Sequence, residues 1–409
     1  MGPAELLAAL SYATDITPCG SHYHSWRVAL VGQLVASVLA PDIQRDVFYA
    51  GLLHDFGAVG LSRHIADYQS LGDHFRDQSL RVHPSRGASL MNWLPGMDVA
   101  ASFVRSHHEW WNGGGYPDGV GGSALPVGAM IVGIASAADV AGCYDSSGSI
   151  RAALPSLAPL AGSAWTQDVW AAFVRSTRDA AFYRSLTDHQ AILTLMAEKI
   201  RELPVPEPLV GDDGAERVLH LFSALIDLKD PSTKGHSLRV ARRAQVLAKA
   251  MGLSETDVRT AYHAGLVHDI GRLGIETSVL NKSGRLTNKE LDIARGHASL
   301  TMRALASLPG CHEMAALGQI AGHDHERFDG TGYPDQLQGQ QIPMVSRILS
   351  VVDAYDAMTT ATEYRMLTPK GAVVRVEQAA GTQFDPDVAA AMVAAVNQGL
   401  FDDIVQEAA

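Results

Sequence analysis

The chain has 409 residues, enough for about two domains of ordinary size. Hydrophobic residues make up 47% and charged residues 19% of the sequence, a globular balance that excludes an intrinsically disordered chain. The net charge of −12 argues against non-specific binding to nucleic-acid polymers or anionic membranes. Three cysteines in no pairing pattern exclude a disulfide scaffold and a thiolate zinc cluster.

The first apolar segments do not predict export or membrane insertion. The N-terminal sequence MGPAELLAAL carries Glu5 and no basic residue, so it is a poor secretory signal. The longest apolar run, Val127–Ala138, is bounded by Pro126 and Asp139 and is too short to span a bilayer. We interpret it as a buried helix and expect a soluble, cytoplasmic chain without a membrane partner.

The chain repeats itself. The segment AGLLHDFGAVGL (Ala50–Leu61) returns as AGLVHDIGRLGI (Ala264–Ile275), and HHEWWNGGGYPDG from His107 returns as DHERFDGTGYPDQ from Asp324. Each copy is far longer than a solenoid repeat, so the pattern predicts two domains of like fold. A stretch with three prolines and two glycines predicts a linker at 203–216, between domains at 1–202 and 217–409.

Apolar residues recur at helical spacing within each copy. In the second copy Val240, Ala244 and Leu247 fall on one helix face. Capping-box spacing at Ser254 and Thr287 predicts two further helix starts. Alternating β-branched runs are nearly absent, and the glycine-rich stretches around the two GYP sequences are expected to be loops. The predicted fold class is all-α, with two tandem helical bundles.

Many of the 17 histidines lie at positions matched between the copies, and among the unmatched ones His64, His74, His189, His220, His263 and His312 are expected to be structural. Imidazoles and carboxylates on several helices can converge in the core of a bundle, which is how di-metal sites are built there. A sulfur-free ligand set of this kind suits iron, manganese, zinc, nickel or cobalt. The metal ligands predicted in the second copy are His236, His268, Asp269, His297, Asp324, His325 and Asp353. A second candidate site in the first copy comprises His24, His54, Asp55, His83, His107 and His108.

The order of these motifs resembles the HD-GYP branch of the HD superfamily. The resemblance rests on the His-Asp pair at His268, the triplet from Asp324 and the GYP sequence at Gly332, and it covers almost the whole chain twice. It implies an all-helical phosphodiesterase that hydrolyses a cyclic dinucleotide, typically cyclic di-GMP, with two or three metal ions, often iron or manganese, of which two are expected here. Two such cations lower the pKa of a bridging water and stabilise in-line attack on the phosphate.

The resemblance also implies roles for residues of the second copy. Asp269 is expected to bridge the two metals and to act in catalysis together with Arg272, which keeps a positive charge where the family has a lysine. Asp324 stands where the family has a histidine and is still a competent metal ligand. The residues expected to bind the substrate are Arg272, Gly332, Tyr333, Pro334 and Arg365.

The first copy departs further from the family pattern. Ser136 falls where the second copy has Asp353, and Ala58 falls where it has a cation. Asp139 lies one helical turn beyond Ser136 and could replace the missing carboxylate. We therefore expect the second domain to be catalytic and the first to be partly degenerate.

Two other functions compete with hydrolysis. Both sites could have lost hydrolysis and kept only the ability to bind, which would make the chain a non-hydrolytic sensor or interaction protein. A di-iron oxygenase is the third hypothesis, because some HD-superfamily members bind mixed-valence iron, although a full GYP loop in both copies argues against it. The tandem arrangement predicts that the two domains pack on each other, and a homodimer is left open.

Overall fold

A computed structural model describes residues 1–17, 20–21, 23–61, 72, 76–142, 150–360, 366–402 and 404. The chain folds into two compact units. The first unit comprises Met1–Val218 with Ser307–Cys311, and the second comprises Leu219–Ala306 with His312–Ala409. The boundary predicted at 203–216 therefore lies just ahead of the division between the units.

The first unit is built from helices. They are α1 (Pro3–Asp15), α2 (His24–Leu39), α3 (Gln44–Leu53), α4 (His83–Met91), α5 (Asp98–Ser106), α6 (Val127–Val140), α7 (Ile150–Leu157), α8 (Gln167–Ser176), α9 (Ala180–Thr187) and α10 (His189–Glu202). One short antiparallel pair, β1 (Ile16–Thr17) and β2 (Gly20–Ser21), joins α1 to α2. The apolar run interpreted as a buried helix forms most of α6.

The second unit repeats this pattern. Helix α11 (Asp212–Lys229) crosses the division between the units. The helices that follow it are α12 (His236–Ala250), α13 (Glu255–Val267), α14 (Thr277–Leu280), α15 (Asn288–Arg295), α16 (His297–Leu305), α17 (His312–Gly322), α18 (Met344–Thr360), α19 (Pro369–Gln378) and α20 (Pro386–Asn397). The predicted starts at Ser254 and Thr287 are confirmed, because each side chain accepts a hydrogen bond from the backbone three residues on.

Short 3₁₀ turns connect many of these helices. They lie at Pro41–Ile43, Phe56–Ala58, Leu80–Val82, Gly122–Ala124, Ala158–Leu160, Glu207–Leu209, Pro231–Thr233, Ile270–Gly274 and Gly339–Gln341. The all-α prediction is confirmed, since β1 and β2 are the only strands among the described residues. No helix in the described part of the chain is long and apolar enough to cross a membrane.

The core of each unit brings the ends of several helices to one place. Helix α2 packs against α3 and α6, and α12 packs against α13 and α18 in the same way. The α12–α13 packing is close enough that a Cβ atom at Gly265 would lie 2.4 Å from the Cα of Ala241, so only glycine fits there. This close packing holds the start of α12 against the end of α13, which is where the predicted ligands lie.

Candidate metal centre

The histidines matched between the copies lie at helix ends. In the second unit His236 and His297 are the first residues of α12 and α16, and His268 directly follows α13. His325 follows α17 after a short turn, and Asp353 lies within α18. Five elements that are far apart in the sequence thus direct ligand-type side chains into one buried region.

Asp269 lies at the centre of this cluster. Its Oδ2 atom is 3.5 Å from His268 Nε2 and 3.9 Å from His236 Nε2, and its Oδ1 atom is 3.6 Å from His297 Nε2. The two oxygens of one carboxylate therefore face different imidazoles. This is the arrangement that a carboxylate bridging two cations requires.

Asp353 is shared by two ligand groups. Its Oδ1 atom lies 3.1 Å from His236 Nε2. It forms one group of mutually close ligand atoms with His236 and His268, and another with Asp324 and His325. The second unit thus holds two groups, each able to surround a metal ion, that meet at one carboxylate.

Backbone carbonyls fix how the imidazoles face the cluster. In each unit the Nδ1 atoms of several histidines hydrogen-bond to the carbonyl oxygen three residues earlier, which leaves Nε2 turned inward as a ligand atom. The pairs are His54–Gly51, His83–Leu80, His107–Val104, His268–Gly265 and His297–Ala294, at 2.6–2.8 Å.

Asp356 holds the remaining imidazole from behind. Its Oδ2 atom accepts a hydrogen bond from His236 Nδ1 at 2.7 Å, and both of its oxygens accept from Arg239 at 2.9 Å. A further bond comes from Arg243. Burial opposes ionisation of Asp356, but these partners hold the pKa of its carboxyl well below the usual range. Burial also lowers the pKa of His236, but hydrogen bonds to Asp353 and Asp356 outweigh burial and raise that pKa to about 10.

The donor set fits divalent metal ions. Among the described residues His268 Nε2, Asp269 Oδ2 and both side-chain oxygens of Asp324 are buried without a hydrogen-bond partner. Leaving polar groups buried in this way is costly unless a cation or hydrogen bond compensates. Burial is the main reason that the pKa of Asp324 is raised. Nitrogen and oxygen donors of this kind fit manganese, iron or zinc.

Arg272 lies against the central carboxylate. Its Nε atom is 2.8 Å from Asp269 Oδ1, and its guanidinium is 3.5 Å from Asp230 Oδ2. Burial lowers the pKa of Arg272, but the nearby carboxylates outweigh it and raise the pKa. Arg272 therefore orients Asp269, and its predicted contact with substrate stays a prediction.

The GYP loop lies beside His325 at one side of the cluster. Tyr333, whose peptide bond to Pro334 is cis, stacks on the His325 ring with centroids 5.0 Å apart. Glu326 Oε1 accepts a hydrogen bond from the Asp335 backbone at 2.7 Å. A Cβ atom at Gly332 would lie 2.6 Å from the Cα of Glu326. The structure thus brings Gly332, Tyr333 and Pro334 to the cluster, whereas Arg365 lies outside the described residues.

The first unit assembles a matching cluster. Asp55 Oδ2 lies 3.3 Å from His54 Nε2 and 3.4 Å from His24 Nε2, and Asp55 Oδ1 lies 3.4 Å from His83 Nε2. His83 Nε2 is 3.2 Å from His107 Nε2. The two groups of mutually close ligand atoms are His24, His54 and Asp55, and His83, His107 and His108.

Asp139 does not replace the carboxylate missing at Ser136. Its Oδ2 atom hydrogen-bonds to His24 Nδ1 at 2.6 Å, and its Oδ1 atom accepts from Arg27 Nε at 2.5 Å. Asp356 makes the same contacts in the second unit, so Asp139 supports an imidazole from behind and does not face the cluster. Ser136 is buried and brings no carboxylate to this place.

Two further carboxylates, which were not predicted from the sequence, support the ligand-bearing turns. Asp15 Oδ2 accepts from the Ser25 backbone at 2.8 Å, and Asp227 Oδ2 accepts from the Gly235 backbone at 2.9 Å. Burial raises the pKa of Asp15 to about 6. Asp15 precedes His24 by the same distance as Asp227 precedes His236, so the internal repeat was the signal that could have found them.

Comparison with known proteins decides the family. The model of the HD domain matches residues 22–156 and 220–388, which is most of the chain. The chain belongs to the HD domain family. Similar proteins and a solved structure confirm the assignment to the HD-GYP branch.

The similar proteins are enzymes of one class. A Vibrio cholerae protein named 3'3'-cGAMP-specific phosphodiesterase 3 is 29% identical over 80% of this chain and 69% of its own length. A cyclic di-GMP phosphodiesterase of Pseudomonas aeruginosa is 36% identical over 45% of each chain. The crystal structure of a cyclic GMP-AMP-specific phosphodiesterase of V. cholerae matches 97% of this chain and 98% of its own, with 25% identity and a TM-score of 0.67. The predicted class, a cyclic dinucleotide phosphodiesterase, is the class of these relatives.

Proposed function

We propose that the second unit of this HD-GYP protein hydrolyses a phosphodiester bond of a cyclic dinucleotide. The observation that carries the proposal is the shared carboxylate of Asp353, at which two groups of ligand atoms meet. Asp269 lies between His268 and His297 and would bridge two divalent ions. Bound in this way, the ions would acidify a water molecule and neutralise charge on the phosphate.

The residues around the cluster support this chemistry. Arg272 holds the central carboxylate in place, and Asp356 holds His236. Side-chain exposure is 20% at Asp353 and 23% at His325, so this cluster has an open side through which a substrate can enter. The stacked Tyr333 lies at that side and is proposed to contact the substrate.

The first unit is proposed not to cut the substrate. None of the side chains around Asp55 is as exposed as Asp353 or His325, with exposure of 10% at His24, 5% at Asp55 and none at His54 or His83. It also has Ala58 and Ser136 where the second unit has a cation and a carboxylate. We propose that it contributes by packing or by binding a nucleotide without hydrolysis.

Two substrates are candidates. The family resemblance favoured cyclic di-GMP, and several relatives carry that name, each matching about half of the chain or less. Relatives that match about 80% of the chain are named for 3'3'-cGAMP. Because these longer matches span parts of both units, we propose 3'3'-cGAMP as a substrate alongside cyclic di-GMP.

Incubation of the full chain with each nucleotide tests the proposal. We expect the manganese-loaded protein to convert at least one of them to a linear product separable by chromatography. His268→Ala is expected to abolish conversion, whereas His312→Ala, at a histidine outside the cluster, is the matched control. A metal-replete wild-type protein that leaves both nucleotides intact would contradict the proposal and favour the sensor or the oxygenase.

A further inference from the structure

The two clusters differ in the chemistry of their ligands. One group of the first unit consists of three imidazoles, and its other group includes Asp55 as its carboxylate. Both groups of the second unit include Asp353, and one of them also contains Asp324. With Asp269 at its centre, the second cluster has three carboxylates where the first has one.

This difference traces to two matched positions. His107 in the first unit corresponds to Asp324 in the second, and Ser136 corresponds to Asp353. The carboxylate behind the first ligand histidine is alike in the two units. Asp139 holds its histidine in the first unit as Asp356 does in the second. The ligand residues at these two positions are therefore one source of a difference in metal preference.

Ligand type changes metal preference in a known direction. Imidazole nitrogen suits zinc, nickel and cobalt, whereas carboxylate oxygen suits manganese and magnesium. Additional carboxylates also compensate the charge of hard cations that gain little from nitrogen donors. The first cluster is thus suited to zinc-like ions, and the second tolerates manganese better.

The enclosure of the first cluster also favours zinc over manganese. Zinc is satisfied by few ligands in a closed shell, and the side chains of His54 and His83 have no exposed surface. Harder ions take more ligands and usually keep water among them. The second cluster offers that access at Asp353 and His325, whose side chains are 20% and 23% exposed.

We propose that the two units select different metals, the first a zinc-like ion that stays bound and the second a manganese-like ion that exchanges. Zinc binds more tightly than manganese at most protein sites. The proposal therefore concerns the ratio of the two affinities, which is larger in the first unit. It goes beyond the proposed hydrolysis and holds whether or not the chain cleaves a nucleotide.

Binding measurements on the full chain test this proposal without any assay of activity. The double substitution Asp269→Ala with Asp353→Ala removes a ligand from both groups of the second cluster and leaves the first cluster intact, whereas His54→Ala with His107→Ala removes one from both groups of the first and leaves the second. Dissociation constants for Zn²⁺ and Mn²⁺ would be measured on both by competition with a chelating indicator. We expect the preference for zinc over manganese to be at least about tenfold greater for the first cluster. Equal preferences, or a greater one for the second cluster, would overturn the proposal.

A reciprocal exchange of one ligand gives a test that does not depend on removing a cluster. Asp324→His in the variant that keeps the second cluster should raise its preference for zinc. His107→Asp in the variant that keeps the first should lower it. If the double variants do not fold, the same exchanges in the otherwise unaltered chain shift the zinc-to-manganese ratio retained after dialysis. Exchanges that leave the preference unchanged would contradict the role given to these two positions.

Discussion

At the scale of single residues, the buried carboxylate of Asp356 joins three cationic side chains behind the second cluster. It is fully buried and compensates the charges of Arg239 and Arg243 while it holds His236. Removing one partner of a buried ionic network leaves the other charges uncompensated, which typically costs about 3–5 kcal/mol.

We therefore predict that Asp356→Asn lowers the free energy of unfolding by about 3 kcal/mol or more. Urea denaturation measures this change. Asp292→Asn is the control, because that side chain is 76% exposed and its contact with Arg295 is long; it should change stability by less than about 0.5 kcal/mol. Equal effects of the two substitutions would show that the network does not stabilise the fold.

The ligand residues could be predicted because they are of metal-ligating type and also recur at matched positions of the two copies. His268, Asp269 and Asp353 could be predicted from residue type and matched spacing. The role of Asp139 could not, because a carboxylate one helical turn from Ser136 is compatible with either side of the imidazole. The side it takes is decided by Arg27, and that contact is visible only in three dimensions.

At the scale of elements, the turn after each His-Asp pair must pass very close to the next ligand-bearing helix. A Cβ atom at Gly271 would lie 2.0 Å from the backbone oxygen of His297, and one at Gly57 would lie 1.9 Å from that of His83. These obstacles are backbone atoms, so a side chain there cannot be accommodated by a change of rotamer. The glycine sets the distance between Asp269 and His297.

We predict that Gly271→Ala destabilises the protein by about 1–3 kcal/mol, the usual range for overpacking. It should also weaken metal binding at the second cluster, because His297 would move away from Asp269. Gly284→Ala is the matched control, since a Cβ atom there would have no neighbour within 4 Å. Thermal unfolding and metal titration of both variants provide the measurement, and an unperturbed Gly271→Ala protein would contradict the argument.

Helix starts were the most predictable elements. Ser254 and Thr287 cap the starts of α13 and α15 through hydrogen bonds to residues three positions on, so these starts depend only on neighbouring residues. The course of the GYP loop was not predictable in the same way. It depends on Glu326, whose carboxylate reaches the backbone of Asp335 across the loop.

At the scale of the whole molecule, metal binding and folding stability should be linked. Both clusters bury imidazoles and carboxylates together, and ions that bind only the folded state stabilise it in proportion to the logarithm of their concentration. We predict that removing metal with a chelator lowers the midpoint of thermal unfolding and that adding manganese or zinc restores it. Metal analysis would first confirm that removal is complete. If the midpoint of thermal unfolding were then unchanged, this link would be contradicted.

The internal repeat was also the most informative feature at this scale. It predicted two helical units of like fold, and the HD domain model matches a segment in each copy. The sequence placed the division slightly earlier than the structure does, because α11 begins within the predicted linker and continues past Val218. Composition marks a linker but does not show where a helix crosses it.

The central claim is that the second cluster performs hydrolysis and the first does not. Turnover of a cyclic dinucleotide by Asp269→Ala and Asp55→Ala, each with saturating manganese, tests it most directly. We predict that Asp269→Ala lowers turnover at least about a hundredfold, because the carboxylate between His268 and His297 is lost, while Asp55→Ala retains a substantial part. An inactive Asp55→Ala protein beside an active Asp269→Ala protein would contradict the account and assign catalysis to the first unit.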